Sequence, residues 1–264
     1  MIQQQNQKIT LFSEALDLTI TDQGKGRPHL LLHGGAGPAS VMGLADRLAQ
    51  AARVVVPTHP GFQNQPRPEW FTRIEDLTLA YLALIEKLDL SDVVVVGNSV
   101  GGWIAAELAL RHSPRIAGIV LLNAVGIDTG SPDKAIVDPM ALEPAKRSAL
   151  SFHNPGRFAI VPEGPQLAIM AQNQQTLRVY AGEPFMHSAT LRTRLAGITV
   201  PTLVGWGESD RIVDVDYGRR FAESIPGARF ELIREAAHFP QIEQLDVVER
   251  LIEGWALAPH PPLR

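Results

Sequence analysis

Four consecutive valines, Val93-Val94-Val95-Val96, run directly into Gly97-Asn98-Ser99-Val100-Gly101-Gly102. A β-branched run without polar alternation suits a strand buried on both faces, the condition of a parallel sheet covered by helices. Similar runs occur at His29-Leu30-Leu31-Leu32, Arg53-Val54-Val55-Val56 and Ala117-Gly118-Ile119-Val120-Leu121-Leu122. The stretches between them carry helical spacing. Leu77, Ala80, Tyr81, Leu84 and Ile85 share a stripe within Ile74 to Leu88, and Ile104, Leu108 and Ala109 share one within Val100 to Arg111. Strand and helix in alternation predict βαβ units, and hence an α/β fold with a mostly parallel central sheet flanked by helices.

The alternation stops after Asn123. From Val125 to Ala196 no buried strand run is expected; prolines are scattered among short helical pieces such as Gln166 to Tyr180. It resumes with Val200 to Gly205, a helix near Tyr217 to Ser224, a strand from Ala228 to Ile233 and a helix from Leu245 to Trp255. This pattern predicts a core formed by residues 1–124 and 197–264, with 125–196 inserted as a helical cap over the C-terminal edge of the sheet, where open α/β folds bind ligands. The proline-rich stretch Ala256 to Arg264 is expected to be loosely held.

Composition narrows the chemistry. The 264 residues suffice for one large core, and 45% hydrophobic with 20% charged residues is an ordinary globular balance. A net charge of −4 argues against a nucleic-acid surface. With no cysteine, thiol nucleophiles, disulfides and thiolate metal sites are excluded. The polar N-terminus lacks the apolar segment of a secretory signal, and no run approaches a membrane span, so a soluble cytoplasmic protein is the expectation.

The segment Gly97 to Gly102 follows a strand and opens a helix, the context in which G-x-S-x-G holds a serine on a sharp, strained turn with its hydroxyl exposed. A serine in a glycine-softened loop could also simply cap the helix; strand before and helix after favour a nucleophile at Ser99. Such a serine needs a base, and the base needs an orienting acid. His238, in Ala236-Ala237-His238-Phe239-Pro240, lies between the last strand and the last helix. Asp210, in Gly205-Trp206-Gly207-Glu208-Ser209-Asp210-Arg211, follows the strand at Val200. Both fall at the same sheet edge as Ser99. Of the other histidines, His112 lies at the far end of the helix, His260 in the tail, and His153 and His187 in the insertion. Among acids, Asp214 and Asp216 read as first-turn residues of the following helix, and Glu208 is the rival to Asp210.

His33-Gly34-Gly35-Ala36-Gly37-Pro38 follows another strand. Its glycines allow close approach to a carbonyl, and the Gly35 amide with that of Val100 would form a two-donor oxyanion hole. A dinucleotide loop is the alternative, but the run is not G-x-G-x-x-G, and the next strand ends in Pro57-Thr58-His59-Pro60-Gly61 without an acid.

Together these motifs resemble the α/β-hydrolase superfamily, specifically its compact bacterial serine hydrolases with a helical cap. The likeness runs from His29 to Trp255, through His33-Gly34-Gly35, His59-Pro60-Gly61-Phe62, Ser99, Asp210-Arg211-Ile212-Val213 and His238-Phe239-Pro240. It implies an α/β-hydrolase fold, a triad of Ser99, Asp210 and His238, and oxyanion amides at Gly35 and Val100. Relatives that open epoxides or displace halides use an aspartate nucleophile, which Ser99 argues against. The first expectation is therefore acyl transfer on a small, mainly apolar ester or lactone, with no metal and no organic cofactor. Trp103, Phe239 and Met186 are expected to touch the substrate, with Met170, Tyr180 and Phe185 as further pocket candidates. Two alternatives stand beside it. Carbon–carbon hydrolases of ring-fission products often carry Asn beside the serine, as Asn98 is here; they tend to have Trp where this chain has Phe239, and an arginine that grips the substrate carboxylate, for which Arg178 is the candidate. A ligand receptor on the same scaffold is the other. The expected partner in each case is a small molecule; oligomeric state is not legible.

Overall fold

The structure is a computed structural model that describes residues 5–130, 136–159 and 162–256. The tail after Ala256, with His260, lies outside the described residues. The strands are β1 (Gln5–Leu11), β2 (Leu16–Gly24), β3 (Pro28–Leu32), β4 (Arg53–Pro57), β5 (Val93–Asn98), β6 (Ile116–Leu122), β7 (Gly126–Ile127), β8 (His187–Ser188), β9 (Thr202–Gly207) and β10 (Arg229–Ile233). The helices are α1 (Ala39–Leu48), α2 (Ile74–Lys87), α3 (Val100–Ala109), α4 (Pro144–Ser151), α5 (Pro155–Phe158), α6 (Pro165–Ala181), α7 (Leu191–Arg194), α8 (Val215–Glu223), α9 (Pro240–Glu243) and α10 (Leu245–Ala256).

Eight strands form one sheet in the order β1-β2-β4-β3-β5-β6-β9-β10. From β4 to β10 all neighbours are parallel, while β1–β2 and β2–β4 are antiparallel. The two kinds of strand differ in burial as their surroundings require. Every residue of β5 is buried, whereas β2 alternates buried and half-buried positions along most of its length. Successive side chains point to opposite faces. Leu30, Leu32, Val55, Val93, Val95, Ile119 and Leu121 therefore pack with α2, α3 and α8, while Leu31, Val54, Val56, Val94, Val96, Val120 and Leu122 pack with α1 and α10.

The chain moves from β3 outward to β4, then returns to place β5 on the other side of β3. That reversal leaves a crevice at the C-terminal ends of β3 and β5, the usual ligand position in an open α/β sheet. The segment 125–196 contributes α4, α5, α6 and α7, and also the parallel pair β7–β8, which the sequence reading does not anticipate. Two-residue strands are too short to carry a periodic signal. Trp103 of α3 and Leu191 of α7 both pack against Gly126, and Glu107 of α3, 1% exposed, receives Arg194 of α7 through two hydrogen bonds of 2.8 and 2.5 Å. Covered in this way, α3 is buried along all ten residues.

The loops after β3 and β4 are joined by a buried histidine pair. The rings of His33 and His59 stack with centroids 3.7 Å apart. The backbone N–H of His59 donates to His33 Nε2 at 3.0 Å, so His33 carries its proton on Nδ1 and donates to the Gly34 carbonyl at 2.7 Å. His59 Nε2–H donates to the His33 carbonyl at 2.8 Å, and the Tyr81 hydroxyl closes the set on Nδ1. Burial disfavours the charged form of both rings: His33 falls well below the ordinary value of 6.5, with repulsion from His59 adding to the effect, and His59 is pushed down to about 4.

Because His59 titrates lower in the folded chain than in the unfolded one, its contribution to stability is fully present above about pH 6.5 and lost as the pH falls toward about 4. Urea unfolding should show a drop of about 2 kcal/mol between about pH 7.5 and about pH 5 from this group, with His33 adding in the same direction. Equal unfolding free energies at the two pH values would contradict the neutral buried pair. On α2, Leu84 is fully buried and Leu79 is 50% exposed. Leu84→Ala should cost about 2–5 kcal/mol in the same assay and Leu79→Ala within about 0.5 kcal/mol; similar losses would contradict the assigned helix face.

Candidate active site

Ser99 sits between the end of β5 and the start of α3 at φ 56° and ψ −118°, a conformation that a non-glycine residue adopts only under strain. Its flanks explain the two glycines. A Cβ on Gly97 would stand 2.1 Å from the Gly101 carbonyl oxygen, and one on Gly101 would stand 2.2 Å from the Leu32 carbonyl oxygen. The backbone of the turn is thus pressed against itself and against β3, with no room for a side chain at either position.

The structure brings three of the expected side chains into one chain of hydrogen bonds. Ser99 Oγ lies 3.0 Å from His238 Nε2, and His238 Nδ1 lies 2.8 Å from Asp210 Oδ2. Asp210 is otherwise filled with donors: Oδ1 accepts from the Ile212 and Val213 amides at 2.8 and 3.2 Å, and Oδ2 also accepts from Asn123 Nδ2 at 2.6 Å. An acid so surrounded is suited to the carboxylate form, which can only accept. It therefore holds the imidazole proton on Nδ1 and leaves the Nε2 lone pair toward Ser99. Ser99 and His238 are each 6% exposed. Glu208, the rival acid, is exposed at the surface, and Asp214 caps α8 by accepting from the Tyr217 amide.

The glycine loop passes beside the serine: a Cβ on Gly34 would lie 2.8 Å from Ser99 Cβ. Val100 is the first residue of α3, so its N–H has no intrahelical acceptor. Neither that amide nor the Gly35 amide donates to a protein acceptor among the described residues. Helix α6 lies over this region. Tyr180 donates to the Pro60 carbonyl and Thr176 to the Gly61 carbonyl, each at 2.8 Å, while Asn173 accepts from the Gln63 amide at 2.8 Å. The Leu177 side chain between these tethers presses on Gly35.

The remaining expectations divide. Phe239 stands beside His238, ring centroids 5.2 Å apart, and also meets Phe152. Trp103 and Met186, expected at the substrate, are buried in the apolar core with neighbours of their own. Tyr180 is a tether of α6 through its hydroxyl. Arg178 is 55% exposed, and its closest carboxylate among the described residues is Asp138, 3.9 Å away. His112 meets Thr199, His187 the Phe185 carbonyl, and His153 the Ser209 hydroxyl. Asn98 is buried, its Nδ2 donating to the Leu122 and His238 carbonyls at 3.1 and 3.0 Å. Among the described residues, no three His, Asp or Glu side chains gather as metal ligands do, and no helix is long and apolar enough to cross a membrane. Sequence reasoning missed Asn123 and Glu243. Asn123 follows the last residue of β6 and grips both Asp210 and the Gly207 amide; the only hint is a polar residue ending an apolar run.

Known proteins resemble this chain over nearly its whole length. Residues 30–251 match the alpha/beta hydrolase family. The 2-hydroxymuconate semialdehyde hydrolase of Pseudomonas putida is 28% identical over 250 residues, covering 89% of this chain and 88% of that one. The 2-hydroxy-6-oxo-6-phenylhexa-2,4-dienoate hydrolase of Burkholderia cepacia is 24% identical over 270 residues, covering 88% of each chain. Among solved structures, the enzyme of that same name from Rhodococcus sp. strain RHA1 superposes with a TM-score of 0.77 at 20% identity, over 98% of this chain and 100% of that one. The chain belongs to the alpha/beta hydrolase family.

Proposed function

We propose that this protein is a serine hydrolase that cleaves a carbon–carbon bond in a 2-hydroxy-6-oxo-2,4-dienoate, with Ser99 as nucleophile, His238 as general base and acid, and Asp210 as the orienting carboxylate. The hydrogen-bonded chain from Asp210 through His238 to Ser99 carries the hydrolase part of this reading. Ser99 attacks a carbonyl while His238 takes its proton; the Gly35 and Val100 amides stabilise the developing oxyanion, at about 2.7–4 kcal/mol for one such donor. His238 then protonates the leaving group, and water activated by the same ring releases the acyl group from Ser99.

The choice of bond rests on the relatives, whose names specify 2-hydroxymuconate semialdehyde and phenyl-substituted dienoate hydrolases over nearly the full chain. Asn98 beside the serine agrees with it. A carbon leaving group can depart only if its electron pair is conjugated to a second carbonyl. The keto form of a 2-hydroxy-6-oxo-2,4-dienoate supplies that conjugation, and water addition yields a carboxylic acid and a 2-hydroxydienoate.

One observation favours a second reading, hydrolysis of an uncharged ester or lactone. Arg178, the candidate grip for a substrate carboxylate, is largely exposed and faces Asp138. Residues 1–124 and 197–264 would serve as the catalytic core in either case, with 125–196 as the cap that shapes the pocket.

Parallel assays of a 2-hydroxy-6-oxo-6-phenylhexa-2,4-dienoate and p-nitrophenyl acetate separate the two readings. The proposal expects kcat/KM for the dienoate to exceed that for the ester, with both lost in Ser99→Ala by about 10³-fold or more. Ester turnover without dienoate turnover would select the second reading.

A further inference from the structure

A short strap of the inserted segment, residues 150–154, runs across both loops that carry the partners of Ser99. The Leu150 carbonyl accepts from the Arg211 amide at 3.3 Å, and the Ser151 carbonyl accepts from the His238 amide at 3.0 Å. Phe152 meets Phe239 with ring centroids 5.2 Å apart, and the His153 ring contacts the Ser209 hydroxyl at 2.8 Å. These contacts fall on Ser209 and Arg211, the two neighbours of Asp210, on His238 itself, and on Phe239, the residue after it.

The strap is fastened from below by Glu243, at the end of α9 and 8% exposed. Its Oε2 accepts from the amides of His153 at 3.1 Å and Ala237 at 2.8 Å, and its Oε1 accepts from the Asn154 amide at 2.9 Å. No lysine or arginine pairs with it among the described residues, so three backbone N–H groups hold the charge. A carboxylate can accept from all three at once; an amide in its place would turn an NH₂ group toward at least one N–H. Two of the three donors belong to the inserted segment, and the third is the residue before His238.

We propose that Glu243 is a positioning residue for the hydrolytic site: it locks strap 150–154 onto the histidine and acid loops, so that the placement of the inserted segment sets the placement of His238. This rests on reading His238 as the base of Ser99. The energetic leverage is large because a misplacement of about 1 Å at the reacting atoms can cost about 10²-fold in rate.

The test compares Glu243→Gln, Glu243→Asp, His153→Ala and Ser99→Ala with the wild type on p-nitrophenyl butyrate, at a temperature well below each melting point. Glu243→Gln should lower kcat by about 10- to 100-fold with KM within about twofold, and Glu243→Asp, which keeps two charged acceptor oxygens, should recover part of the loss. A melting temperature that falls while kcat stays at the wild-type value would reduce Glu243 to a structural role and overturn the proposal. Should neither Glu243 variant fold, His153→Ala, altered at an exposed side chain, decides: a fall in kcat without a change in KM supports the strap, and wild-type kcat overturns it. Ser99→Ala keeps the two failures apart. If it abolishes turnover while Glu243→Gln does not, only the positioning role falls; if it leaves turnover intact, the assignment of Ser99 and His238 falls with it.

Discussion

The molecule is organised around a turn that has no room in it. At the end of β5 the backbone reverses into α3 so closely that Gly97 meets Gly101, and Gly101 meets the end of β3. That crowding holds Ser99 in a left-handed conformation and projects its side chain above the sheet. A strained residue persists only when its surroundings over-determine it. Here the surroundings are a fully buried central strand, a helix buried on every side, and the glycine loop packed against the serine itself.

Around that turn, polar groups are arranged so that every buried charge of the site has donors. Asp210 accepts from four groups, of which only one is His238. Glu243 accepts from three amides, and Glu107 from the two ends of one guanidinium. A carboxylate left short of partners in such a setting would be costly to keep ionised. The neutral histidine pair under the glycine loop solves a related problem without charge: His33 and His59 bind each other's backbone and so join the loops that follow β3 and β4.

What could be read in the sequence was whatever is encoded locally. Ser99 announces itself by its glycines and by the strand before it, and His238 and Asp210 by following strands at the right edge. The N-terminal hairpin β1–β2 is absent from the sequence reading, although Leu16, Leu18 and Ile20 alternate with Asp17, Thr19 and Thr21 in the pattern of a half-buried strand. Asn123 and Glu243 are a different case. Their partners lie 84 to 90 residues away, except for Ala237, and beyond the place of Asn123 at the end of an apolar run nothing in the local pattern of either residue marks a contact at that range. Trp103 and Met186, which have the chemistry of a substrate wall, lie in the same apolar cluster as Val100 and Leu177 beside the serine.

The account stands on Asp210 holding His238 so that Ser99 becomes the one activated hydroxyl. The most direct test is reaction with a fluorophosphonate, with the adduct located by tandem mass spectrometry and its rate of formation compared between wild type and Asp210→Asn. The account predicts a single adduct on Ser99, formed on the order of 10³–10⁴-fold more slowly in the variant, the scale expected when the orienting acid can no longer hold the correct tautomer. An adduct on another residue, or equal rates in the two proteins, would contradict it.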